Sequence, residues 1–397
     1  MREALHRAAL LFLVVSLTGC AARTTRPGPQ LQDAPTKTSD GLTLDVIRIR
    51  AGEDPLTGLK GYDADDLFRL GFDAFEAEEF ELSGLLYSRL LEEFPAHPNA
   101  LPALFNLSMA MERQGALLLA VEQLENYIDL VAEGRPQDAA ECRVRLAAWL
   151  QRLERHDASR EPLQLALAEA SLEKPERWEA QILSTMLLGH DGDFERASVR
   201  LHSIARDIRN TTRKLGERFP YQSAMLWYHA GALYRLRASS ISLDSVDDLD
   251  VLRANLDEKA RSLLEARQHF KRCLKHLVAE WSGPSALALG GVYEDFRRDL
   301  LAAPVPTQMD AEHAVVYREL LSDRTLRFLE KAVADYREVL RSANRFQLQL
   351  VWVRAVDSAL QRCEKELDML RLASAESAPA LNAPGAEAKE PMPGSSD

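Results

Sequence analysis

The sequence predicts an all-α protein built from repeated helical hairpins, with longer helices toward its C-terminus. Three observations lead there. Apolar residues recur at helical spacing almost throughout, and strand-like alternation is rare. The stretch from Asp65 to Pro95 reads as two short helices folded onto each other. The plan of that stretch then returns along the chain, with a small residue at Gly71, Ser108 and Ala147 in corresponding places.

In the first hairpin, Leu67, Leu70, Gly71 and Ala74 lie at helical spacing. Phe80 and Ser83 open a second run, continued by Tyr87, Leu90 and Leu91 and stopped by Pro95. Counted from Ala64, Gly71 takes position eight, Ser83 twenty, Tyr87 twenty-four, Leu90 twenty-seven and Pro95 thirty-two. That pattern resembles a tetratricopeptide repeat (TPR). Small residues let two helices approach, the aromatic fills the space between them, and the proline ends the second helix. Such a hairpin cannot bury its apolar face alone, so the resemblance implies a TPR-like helical-hairpin solenoid.

A second unit starts near Leu101, with Leu107, Ser108 and Met111 on its first helix, Gly115 at the turn, and Ala120, Leu124 and Tyr127 on its second. The extra length between units falls around His97, Pro98 and Asn99, where a longer turn costs little. A third runs through Leu146, Ala147 and Leu150 to Ser159, Leu163 and Ala166. A fourth begins near Trp178, turns at Gly192-Asp193-Phe194 and continues through Ala197, Leu201 and Ile204. Units one to four occupy residues 56–212.

Residues 213–372 keep the pattern with elongated helices. Ala230 to Tyr234 mark one first helix, a polar insertion spans Ser239 to Asp250, and a long helix is expected from Val251 to Glu280. Gly290 and Tyr293 mark the next first helix, Ala303-Pro304-Val305-Pro306 a rigid break, and Ala332, Tyr336 and Val339 the following second helix. A capping helix from Phe346 to Leu372 and a disordered Ala/Pro/Ser/Gly/Glu tail over 373–397 complete the chain.

The N-terminus carries an address. Arg2 and Arg7 precede a short apolar run from Ala8 to Leu17, too short to span a bilayer. It ends in Leu17-Thr18-Gly19-Cys20, which resembles a bacterial lipobox. The resemblance implies a signal peptide over 1–19 and lipidation, palmitate included, at Cys20. Each buried methylene contributes ~0.8 kcal/mol, so several acyl chains would hold the protein on the membrane. Ala21 in place of Asp after the cysteine favours the outer membrane, by analogy with enteric sorting. Residues 20–55 read as the lipidated cysteine and a tether, with the β-prone Leu42–Ile49 as one extended segment.

At 397 residues, 46% apolar and 28% charged, the chain suits a folded protein with a substantial core. Its net charge of −12 argues against nucleic acid as a partner. Cys142, Cys273 and Cys363 sit in helical runs without metal-ligand spacing and read as small core residues. No phosphate-cradling Gly-Lys loop, nucleophile elbow or His-Glu-x-x-His is present. His190 and Asp191 fall at a hairpin turn and should face solvent. His269 and His276 share a helix face without further ligands, and Glu265 with His269 reads as a surface pair. The expectation is no enzyme activity, no catalytic or metal site, no cofactor and no small-molecule substrate.

Two surfaces remain as candidates. In TPR proteins the first helix of each unit lines a groove, and carrying its positions onto this chain places Phe68 and Phe72, then Phe105 and Met109, along an apolar groove, continued by Val144, Ala148, Ile182 and Met186. Arg69, Asn106 and Arg145 take the polar position six, but the basic residues of a carboxylate clamp are absent at position five. The second surface is basic. Arg206, Arg209 and Arg213 lie within a cluster running from Arg196 to Arg218, and helical spacing puts several on one face.

The first half resembles TPR lipoproteins of outer-membrane protein assembly, with Phe94-Pro95 closing its first unit as theirs do. In the second half, Tyr293, the 303–306 break, Tyr317, Lys331-Ala332 and Trp352-Val353 resemble large TPR proteins of the adventurous gliding-motility envelope machinery. The resemblance implies an outer-membrane-anchored periplasmic scaffold whose TPR surface organises envelope proteins, with gliding motility as the process. A β-barrel assembly helper and a secretin pilotin share the architecture.

Overall fold

A computed structural model describes residues 61–244, 248–307, 309–345 and 351–377. Among the described residues there are thirteen α-helices, one 3-10 turn and no strand. They form two compact units: residues 61–237 together with 272–282, and residues 238–271 together with 283–377.

The first unit contains α1 (Ala64–Glu76), α2 (Phe80–Glu93), α3 (Ala100–Gln114), α4 (Leu117–Val131), α5 (Pro136–Arg152), the 3-10 turn Asp157–Ser159, α6 (Arg160–Ala168), α7 (Lys174–His190), α8 (Phe194–Leu215) and most of α9 (Pro220–Ser240). The starts and stops follow local chemistry. The Asp63 carboxylate accepts from the Asp66 amide at 2.9 Å and caps α1. Asp193 does the same for α8 through the Arg196 amide, at 3.2 Å. Gly115 ends α3 and Gly216 ends α8 at positive φ, 86° and 74°, where a side chain would be strained. Pro136 and Pro175 sit in the first turns of α5 and α7, where a missing N–H is harmless.

Each helix packs on the next from α1 through α8, and α1 touches α3 as α5 touches α7. That neighbour-on-neighbour order is the TPR-like solenoid arrangement. The first hairpin shows what closes it. Gly71 of α1 faces the Tyr87 ring of α2 so closely that a Cβ there would stand 2.8 Å from Tyr87 Cε1. Ser83 Oγ donates to the Gly71 carbonyl at 2.8 Å, so the same glycine is gripped twice. Phe68 meets the Tyr87 ring edge-on at 5.6 Å, and Asn106 of α3 donates to the Tyr87 hydroxyl at 3.2 Å. One tyrosine thus ties hairpin one together and joins it to hairpin two.

Farther along, Phe105, Met109, Leu124, Tyr127 and Trp149 share one buried cluster, and Trp178, Ile182, Met186, Leu201 and Ile204 another. Trp178 donates to Asp207 at 2.7 Å, which satisfies its indole N–H at the edge of that core. Residues 272–282 complete this unit, with Cys273 and Val278 buried beside Ala224, and Trp281 tilted against Tyr228 at 5.3 Å.

The second unit holds α10 (Leu249–Leu274) up to Lys271, α11 (Ala279–Ala302) from Gly283, α12 (Ala311–Arg345) and α13 (Val351–Ser377). The glycine–tyrosine contact recurs here: Gly290 of α11 lies directly under the Tyr336 ring of α12. The Tyr336 hydroxyl donates to Glu294 at 2.6 Å, and Arg362 of α13 donates to the other oxygen of Glu294 at 2.7 Å. Burial and this carboxylate push the phenol well above its ordinary pKa. Arg267 of α10 and Asp335 of α12 form a two-pronged ion pair at 2.5 and 2.6 Å. The buried Lys259 ammonium donates to the carbonyls of Ala238 and Ile241, at 2.7 and 3.1 Å, and pairs with Asp299 at 2.9 Å. Those two carbonyls lie at the end of α9, where cations are favoured.

Two expectations about helix ends are corrected. A single helix over Val251–Glu280 is interrupted: α10 stops at Leu274, Leu277 adopts φ 55°, and α11 starts at Ala279. The break lets Val278 and Trp281 turn into the first unit's core, which periodicity alone does not reveal. The last helix continues to Ser377, five residues past its expected end at Leu372. Cys20, the tether and the extended segment Leu42–Ile49 lie outside the described residues, as does the tail after 377.

Gly71→Ala and Gly290→Ala should each lower stability by about 1–3 kcal/mol, because the tyrosine ring cannot yield without moving its helix. Gly134→Ala, with open space at its Cβ, should change it by under ~0.5 kcal/mol. Urea denaturation of the three variants checks this ordering.

Candidate functional site

The first candidate surface lies in the interior. Phe68 is 1% exposed and packs on Tyr87. Phe105 is buried against Tyr127 at 5.3 Å, Met109 is fully buried, and Asn106 is fully buried on the Tyr87 hydroxyl. Val144, Ile182 and Met186 are buried as well. Phe72, Arg145 and Ala148 are half-buried. Arg145 covers the core: its guanidinium donates to Met109 Sδ at 2.8 Å and lies 5.8 Å from the Phe105 ring centre. These side chains are therefore packing within hairpins and between neighbouring ones. A groove lined by them narrows to Phe72 and the stem of Arg145.

The second candidate is different. Arg206, Arg209 and Arg213 project from α8 and are all exposed. The helix buries its opposite stripe, Ala197, Leu201, Ile204, Ala205 and Ile208, so the arginines point outward by periodicity. Arg213 and Lys214 lie in the last turn, where positive charge opposes the helix dipole's negative end. No ion pair holds any of the three arginines among the described residues.

A groove of about 490 Å³ also runs beside α12 and α13, lined by Ala334, Arg337, Leu340, Arg341, Asn344 and Leu360. Its arginines are engaged. Arg337 grips Glu364 at 2.6 Å, and Arg341 donates to the Arg337 carbonyl at 3.3 Å.

The remaining titratable groups pack. His190 and Asp191 are exposed at the α7–α8 turn, as their sequence position suggests. His190 stacks on His156 at 3.6 Å, and burial followed by the charge of His156 lowers its pKa. Arg160 clasps Asp191 through both oxygens at 2.6 and 3.1 Å. Nothing in the sequence marks this His156–His190 contact, because its partners come from different hairpins. Burial pushes His229 down to about 4, which keeps it neutral near pH 7. Cys142, Cys273 and Cys363 are buried thiols without a disulfide, and burial pushes Cys142 and Cys363 up to about 12. Such thiols are poor nucleophiles. No group of three or more His, Cys, Asp or Glu residues is placed to hold a metal among the described residues. No helix there is long and apolar enough to cross a membrane.

No protein-family model matches the chain, and no curated protein matches it in sequence. Among solved structures it is similar to a tetratricopeptide repeat protein from Parabacteroides merdae, with 13% identity over 76% of this chain and 98% of that one, and a TM-score of 0.39. It is also similar to human IFIT1, solved as a dimer with m7Gppp-AAAA, with 13% identity over 79% of this chain and 65% of that one, and a TM-score of 0.38. A monomeric mutant of IFIT1, also with m7Gppp-AAAA, gives a TM-score of 0.38 over 79% of this chain and 72% of that one, at 13% identity. With every TM-score below 0.5, the TPR-like fold rests on the packing described above. That packing makes a sharp distinction within the first candidate surface. Phe105→Ala should cost about 3–5 kcal/mol of stability and Phe72→Ala under about 1 kcal/mol, read by chemical denaturation.

Proposed function

We propose that the chain is a non-enzymatic scaffold that binds proteins through the outer faces of its helical hairpins. The carrying observation is the first unit's stack, in which each hairpin's interior is filled by its own and its neighbour's side chains. A filled interior leaves the solvent-facing sides of the helices as contact surface. The engaged Arg clusters and buried thiols fit structural roles.

The finer reading adds an address and a process. Leu17-Thr18-Gly19-Cys20 supports a lipid anchor at Cys20 on the outer membrane, with the helices in the periplasm. The tether over 20–55 would give the folded part reach from that membrane. The partners would be envelope proteins assembled into one complex. The likeness around Tyr293, residues 303–306, Tyr317, Lys331-Ala332 and Trp352-Val353 supports gliding motility as the process served. A β-barrel assembly helper would instead lower outer-membrane proteins broadly on depletion, and a pilotin would mislocalise one secretin.

Cys20→Ala should move the protein from the membrane to the soluble periplasmic fraction; unchanged fractionation contradicts the anchor. Affinity capture of the wild-type chain from crosslinked envelopes should retain other envelope proteins, and retention of none contradicts the scaffold.

A further inference from the structure

Helix α8 presents three exposed arginines at helical spacing on one face. Some arginines are held by acids: Arg89 by Glu93, Arg160 by Asp191, Arg237 by Glu195 in the first unit, and Arg267 by Asp335, Arg297 by Glu366 in the second. Others, such as Arg253 of α10 and Arg318 of α12, are exposed with no such pair among the described residues. Arg206, Arg209 and Arg213 have no such partner among the described residues, in a chain whose net charge is −12. Asp207, the nearest acid on the same helix, is engaged away from them by the Trp178 indole at 2.7 Å and by Lys174 at 3.9 Å. His202 lies on the strip's face, one ring nitrogen tied to the Ser198 carbonyl at 2.8 Å. Val199 lies on the same side of the helix one turn before His202 and is 69% exposed.

We propose that this strip docks an acidic, amphipathic helix of a partner protein. The inference rests on the scaffold reading above and names its contact surface and the chemistry of its partner. Arg206, Arg209 and Arg213 recur at three and four residues, so they share one face over about 10 Å. Carboxylates at the same spacing on a second helix match them, and each guanidinium offers a fork that a carboxylate can accept bidentately. Val199, about 10 Å before Arg206 along the helix and on the same side, supplies an apolar contact at one end of such a partner. The charge of the whole chain selects for a short acidic segment over a polyanion. A membrane surface or a nucleic acid meets the summed field of a strongly acidic protein. A short segment feels chiefly what lies within a Debye length, about 8 Å, and on α8 that is arginine. The strip sits on the second helix of its hairpin, outside the first-helix positions that pack between neighbours.

The test uses the full chain in detergent and a fluorescent helical peptide of about 16 residues, long enough to span the strip, with Glu at i, i+3 and i+7 and Leu near the end that meets Val199. Anisotropy should report binding that weakens as salt rises. Arg206→Glu/Arg209→Glu/Arg213→Glu should reduce affinity about tenfold or more, while replacement of all three by Lys, which keeps the charge but loses the fork, should give a smaller loss. Circular dichroism checks helix content, and the triple Gln variant is read instead if the charge-reversed chain unfolds. Vesicles containing phosphatidylglycerol and a single-stranded oligonucleotide should not bind through the strip. Absent peptide binding, affinity unchanged by charge reversal in a folded variant, or strip-dependent binding of vesicles or oligonucleotide in its place would each overturn the proposal. Envelope capture separates the two levels. Partners retained equally by wild type and the charge-reversed variant overturn the strip alone; no partners on the wild type overturn the scaffold beneath it.

Discussion

A tyrosine ring seated on a glycine is the contact on which both units depend. In the first, Tyr87 fills the space above Gly71; in the second, Tyr336 lies over Gly290. A side chain at either glycine would hold the helices apart, and a smaller residue at either tyrosine would leave a void. Each hydroxyl then does further work. Tyr87 receives a hydrogen bond from Asn106 of the next hairpin, and Tyr336 donates to Glu294, which is shared with Arg362 of the last helix. The aromatic is thus both a wedge within a hairpin and a link to its neighbour. Stability in such an array is the sum of hairpin and nearest-neighbour terms, so the link matters as much as the wedge.

This arrangement decides where function can sit. Residues that a first-helix register assigns to a groove, Phe68, Phe105 and Met109, are consumed by packing between hairpins. What remains for a partner is the outward face of helices whose other stripe is buried. Part of the outward charge is neutralised by pairs such as Arg160–Asp191 and Arg237–Glu195. Arg206, Arg209 and Arg213 of α8 have no such pair among the described residues. Unpaired arginines in an acidic chain create a short-range field that is opposite in sign to the long-range one, which favours a small acidic partner element over a large anionic surface.

The hairpins were legible because their signals are local. Gly115, Gly192 and Gly216 mark turns at positive φ, Asp63 and Asp193 cap helices, and the small and aromatic residues recur at helical spacing. The stop of α10 at Leu274 was not legible, because apolar periodicity continues through Leu277 and Val278 and only tertiary packing turns Val278 and Trp281 aside. The site was legible in part. The α8 arginines follow from spacing alone, whereas their lack of partners depends on where Asp207 and the other acids point. The Arg267–Asp335 and Tyr336–Glu294–Arg362 contacts join residues far apart in sequence, and no local pattern encodes them.

Tyr87 closes its own hairpin on Gly71 and, through its hydroxyl, couples that hairpin to the next. Amide hydrogen exchange on Tyr87→Ala tests it most directly. Protection should fall in α1, α2 and α3 and persist in α7 and α8, because coupling passes from neighbour to neighbour. Undiminished protection in α1 to α3, or an equal loss in α7 and α8, would contradict it.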